Sequence, residues 1–143
     1  DAAREAELAA SVRHEMAHAA VREIGPECPN WLNEGLAQYF EVPEGGDWSR
    51  ATASLRASKA SRVPLREIPS RLWEVHDESL ARLSYLEGLG FVEFLARRYK
   101  PFRLSLLLRT LGEERSLERA FEVTYGASLT DLEQAWWLEL DRP

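Results

Sequence analysis

A single cysteine, Cys28, excludes an internal disulfide and a cysteine-only zinc cluster from this 143-residue chain. It leaves the redox compartment open, because a secreted protein need not contain disulfides. No run approaches the eighteen or more apolar residues of a membrane span, since Arg and Glu interrupt the longest helical patterns. Positive charge is also short: 18 Lys and Arg stand against 24 Asp and Glu, a formal charge of −6. A nucleic-acid partner, which would need a basic surface, is thereby excluded. Clean strand alternation is missing, as are internal repeats and low-complexity stretches. Histidine is scarce too, with three in the chain, yet two of them stand four residues apart in "RHEMAHAAVREI", residues 13 to 24.

The length predicts one domain with a single core. Residues 2 to 24 read as a helix, favoured by Glu5, Glu7 and many alanines and ended by Gly25 and Pro26. After the connector "GPECPN", Asn30 is expected to cap a second helix, "WLNEGLAQYFE", residues 31 to 41. "VPEGGD" is a loop, "WSRATASLRASKA" a weaker helical pattern, and "SRVPLREIPSRLWEVHDES" an irregular crossing with two prolines. A long helix follows from about Ser79 to Tyr99. Pro101 opens another, which Gly112 is expected to stop, and Ser116 and Ser128 start the last two. The expectation is an all-α fold over residues 1–143 with little or no β-sheet. The chain enters its first helix at Asp1 without a Met or a signal-like segment, so it reads as a piece of a longer polypeptide.

On a helix, His14 and His18 lie about 40° apart on one face, and Glu15 flanks His18 by about 60°. Two imidazoles one turn apart can reach one tetrahedral ion, with the glutamate close enough to touch a water beside it. Val12, Met16, Ala17, Ala19, Ala20 and Val21 make this helix apolar nearly all round, which predicts a buried, rigid element. A catalytic zinc needs a third protein ligand and an open fourth position. Glu34 suits this better than His76, because the connector is short enough to fold the second helix against the first. Gly35 is expected to ease that approach. Gln38 and Glu41 share the face of Glu34 and could orient the ligands from behind.

"HEMAH" followed by "WLNEGLAQYFE" resembles the gluzincin metallopeptidases, in which HExxH is completed by a glutamate from an Asn-Glu-Gly or Asn-Glu-Ala helix. More closely, the chain is similar to the small bacterial peptidase-MA-like domains, with "VPLREIP", "SYLEGLGFVEFLARRY" and "LERAFEVTYGASLTDLEQAW" as further matching stretches. The resemblance implies a zincin-like domain with the HExxH helix at its centre. It implies Zn2+ held by His14, His18 and Glu34, with Glu15 as general base and Asn33 among the supporting residues. Tyr85 matches the tyrosine that stabilises the developing oxyanion in related enzymes. Thermolysin-like members carry an aspartate where this chain has Gln38, so a supporting carboxylate would have to come from Glu41. Gluzincins also usually carry a sheet-bearing lobe upstream, whereas thirteen residues precede His14 here.

The expected function is zinc-dependent hydrolysis of a peptide or protein substrate, in a secreted or envelope-associated setting by resemblance. The alternative is a non-catalytic, zinc-stabilised helical domain used for binding within a larger envelope or scaffold protein; the presence of Glu15 speaks against it, since a structural site needs no base. His76, beside Asp77 and Glu78, reads as a solvated loop residue, and Trp136 and Trp137 as core or interface anchors. Cys28 is a poor nucleophile, with no histidine pair left to activate it.

Overall fold

Phe91 marks the middle of the fold. Its ring lies 5.9 Å from Trp31, 6.2 Å from Phe94, 6.0 Å from Phe121 and 5.6 Å from Trp136. These residues come from four different helices, so one aromatic cluster ties the chain's two ends to its centre. Removing a ring this well buried costs about 3–5 kcal/mol in a packed core.

The computed structural model describes residues 1–43, 46–71 and 74–143. Its helices are α1 (Ala2–Ile24), α2 (Asn30–Glu41), α3 (Ser49–Ala57), α4 (Glu78–Tyr99), α5 (Phe102–Glu114), α6 (Leu117–Tyr125) and α7 (Leu129–Leu140). Two short 3-10 turns, Lys59–Ser61 and Leu65–Glu67, lie in the crossing between α3 and α4. No strand occurs among the described residues. The fold is all-α, as the sequence predicts. The middle of the "VPEGGD" loop and residues 72–73 of the crossing lie outside the described residues.

Several helix ends follow from local chemistry. The Asp77 carboxylate accepts from the Ser79 and Leu80 amides at the start of α4. Ser116 and Ser128 accept from Arg119 and Asp131, three residues on, as N-caps do. Two expectations need correction. Asn30 does not cap α2 with its side chain; it is the first helical residue, and Pro29 precedes it without a side-chain cap. Gly112 does not stop α5, which runs on to Glu114 and ends at Arg115 in the left-handed conformation (φ 55°). A side chain at Gly112 would strike the Ile24 carbonyl, so this glycine admits the end of α1 rather than breaking a helix.

The expectation of a central, buried HExxH helix is also corrected. The buried centre is α4, whose residues from Glu87 to Val92 and from Phe94 to Ala96 are inaccessible. In α1 only Val21 is buried, and Leu8, Val12 and Met16 are exposed. Alanine is small enough to sit on either surface, so an Ala-rich pattern overstated the apolar face. Gly35 has a different partner from the one expected. It packs α2 against α4 rather than α1: a Cβ there would lie 2.5 Å from the Gly88 carbonyl oxygen.

Candidate metal centre

The two histidines of α1 sit one turn apart with ring centroids 4.6 Å from each other. Their Nε2 atoms are 2.9 Å apart. Glu34, on α2, brings one carboxylate oxygen to 3.5 Å from His18 Nε2 and the other to 3.9 Å from His14 Nε2. One ligand atom from each of the three residues lies within 4.8 Å of the others. The side chains are between 17% and 24% exposed, so the set is held by its neighbours yet open to small molecules.

The outer nitrogens explain why the inner ones converge. His18 Nδ1 lies 2.8 Å from the Asn33 side-chain oxygen, and His14 Nδ1 bonds the Glu41 carboxylate. A carboxylate and an amide oxygen only accept, so each Nδ1 carries the hydrogen and donates. In a neutral ring Nε2 is then a bare lone pair. Two such lone pairs and a carboxylate face one another, an arrangement that needs positive charge between them. Tetrahedral zinc with bonds of about 2.0–2.1 Å to nitrogen and oxygen separates its ligand atoms by roughly 3.3 Å. The two Nε2 atoms, 2.9 Å apart, and the nearer Glu34 oxygen to each, at 3.5 and 3.9 Å, lie close to that spacing. The donor set fits zinc.

Asn33 and Glu41 thus bond the outer nitrogens of the two histidines, and Gln38 faces elsewhere. It bonds neither histidine; with Tyr85 it lines an open cleft on the α3 side of α2. Sequence reasoning passed over Arg13. Its guanidinium donates through Nε and a terminal nitrogen, at 3.0 and 2.6 Å, to the Glu41 main-chain carbonyl. This satisfies an orphan carbonyl at the end of α2 and holds Glu41 beside His14. Position next to His14 was the only local hint, because the partner lies 28 residues away.

Glu15 is exposed and has no ion pair among the described residues, so its carboxylate is free to act. Tyr85 is half-buried on α4. Burial and the nearby Glu34 charge push its phenol above the usual range, against the Asn30 amide beside it. The hydroxyl therefore stays protonated, within electrostatic range of the Glu34 carboxylate. His76 is exposed and stands apart from the cluster. Trp136 is core, and burial drives the Cys28 thiol up to about 12, which removes it as a nucleophile.

Residues 6–141, almost the whole chain, match the Peptidase MA superfamily. The chain belongs to that superfamily. No curated protein and no solved structure gives a match. In this peptidase MA domain the possible His-His-Glu site falls entirely within the matched span, on the first two helices. The tyrosine comes from the helix that forms the core of the same peptidase MA domain.

Proposed function

We propose that this domain is a zinc-dependent metallopeptidase of the gluzincin type, with His14, His18 and Glu34 as ligands. One observation carries the reading: two imidazole lone pairs and a carboxylate converge, and each imidazole is fixed from behind by an acceptor. Zinc bound there would supply Lewis acidity toward a carbonyl and lower the pKa of water to about 7. The protein supplies the rest. Glu15 takes the proton of the attacking water and passes it to the leaving amine. Tyr85, protonated at working pH, donates to the oxygen on which negative charge develops, a contribution that mutagenesis elsewhere puts at about 3 kcal/mol. Asn33 and Glu41 hold the imidazoles in one tautomer and orientation.

Glu15, an exposed carboxylate next to His14 in the sequence, has no use in a purely structural site, and nothing favours the binding-only alternative. Two substitutions test the roles. Glu15→Gln should abolish hydrolysis of an unfolded protein substrate while leaving zinc content nearly unchanged, because an amide cannot take the proton. Glu34→Gln should lower zinc content itself. If both variants lose zinc alike, or neither loses activity, the assignment is wrong.

A further inference from the structure

Tyr85 belongs to two neighbourhoods. It lies three residues before Gly88, which packs against Gly35 next to Glu34, and its side chain lines an open cleft of about 490 Å³ between α2, α3 and α4. Gln38, also on the cleft wall, stands one helical turn after Glu34 on α2. The cleft therefore begins one turn from Glu34.

The cleft has a charge of its own. Arg50 on α3 and Arg82 on α4 both line it and both are exposed. Among the described residues Arg82 has no ion pair or hydrogen bond, and Arg50 has only the longer-range attraction of Asp47. Asp47 lines the same cleft and accepts from the Ser49 amide at 2.9 Å where α3 begins. Two guanidiniums against this one carboxylate leave the cleft net positive in a chain of net charge −6. Ala51, Leu86 and the Tyr85 ring give the same cleft an apolar wall.

An apolar wall with a guanidinium rim matches a carboxylate on a short aliphatic stem, since the planar fork of arginine pairs with carboxylate geometry. We propose that this cleft is a substrate subsite beside the scissile bond and that Arg50 and Arg82 select a carboxylate there. The carboxylate is either an acidic side chain or the C-terminus of the peptide. The inference rests on the peptidase reading of the adjacent ligands. Because the rim is exposed, the selection is modest, about tenfold at low salt, and fades as salt screens it.

The test uses zinc-loaded Glu15→Gln protein, which should bind peptide without turning it over. Fluorescently labelled peptides differing only in one Glu, Gln or Lys, each with a free or amidated C-terminus, are titrated and followed by anisotropy. A carboxylate should tighten binding about tenfold and Lys should weaken it, with the gap closing in 0.5 M salt. Adding Arg50→Gln and Arg82→Gln together should collapse the gap. An effect of amidation alone assigns the chain terminus, and an effect of Glu against Gln alone assigns a side chain. Equal binding of all peptides, or a gap that survives the double substitution, overturns the proposal. Wild-type hydrolysis of a neutral peptide is measured alongside. Hydrolysis with no binding preference removes the subsite and keeps the peptidase, whereas preference without hydrolysis removes the peptidase and keeps a carboxylate-binding cleft.

Discussion

Gly35 and Gly88 meet backbone to backbone. The Gly88 carbonyl lies where a Gly35 side chain would begin, and a Gly88 side chain would strike the Trp31 carbonyl. This contact sets the distance between the helix that carries Glu34 and the helix that carries Tyr85. Gly88→Ala should therefore do more than destabilise. Main-chain atoms cannot move aside, so overpacking should cost about 1–3 kcal/mol in chemical denaturation. The same shift should lower activity with zinc content maintained. An alanine variant with unchanged stability would mean that the two helices separate freely.

Zinc should stabilise the fold and not merely decorate it. A ligand that binds only the native state adds about 4 kcal/mol when present at 1,000 times its dissociation constant. Chelation should lower the melting temperature, and the difference should vanish in His18→Ala. A melting temperature indifferent to chelator and to added zinc would remove the metal from the proposed function.

Asn33 and Gln38, two polar residues of α2, should behave differently. Asn33→Ala removes the acceptor that orients His18 and should weaken zinc affinity about 10- to 100-fold, as loss of such supporting contacts typically does. Gln38→Ala, which alters only the cleft wall, should leave zinc affinity intact. Competition with a chromogenic chelator measures both. Equal losses would mean that Asn33 holds no special place.

A pH dependence should arise far from the ligands. Glu87 is fully buried on α4; one oxygen accepts from the Val63 amide at 3.1 Å and the other has no partner. Burial, with the buried Glu133 carboxylate nearby and Arg62 opposing it, raises Glu87 from 4.5 to about 7. Glu133, which bonds the Leu65 amide, is raised as well. At these two groups the folded state holds more protons than the unfolded state, so Glu87's contribution to stability is full below about pH 4.5 and is lost as pH rises through about 7. For Glu87 the gap corresponds to about 3 kcal/mol. Glu87→Gln keeps an acceptor for Val63 and should flatten most of the decline in urea midpoints between pH 5 and 8. A wild-type protein that gains stability over that interval would show Glu87 to be ionised when folded.

Local signals made most elements legible in the sequence. Ser116, Ser128 and Gly25 mark helix ends through neighbours one turn away, and the His14–His18 pair needs only helical spacing. Glu34 required one further step, that a short connector folds α2 onto α1. What stayed hidden depends on distant partners. Gly112 resembles a stop until the Ile24 carbonyl is seen against it. Arg13 resembles a surface charge until it meets the Glu41 carbonyl. Nothing local in the sequence marks Glu87 and Glu133, whose partners are the Val63 and Leu65 amides of the crossing, 24 and 68 residues away. The outward face of α1 was misjudged because alanine does not declare which side it occupies.

The proposed ligands span only residues 14 to 34, on a helical hairpin whose first arm has one buried residue. A bound ion would act as a clasp on that arm. Without it, α1 is expected to open before the cluster around Phe91, which draws on α2, α4, α6 and α7. Amide hydrogen exchange would then record two tempos in one small domain, with the core slow throughout and α1 quick until metal arrives. Entry of the ion and mobility of the first helix become the same event.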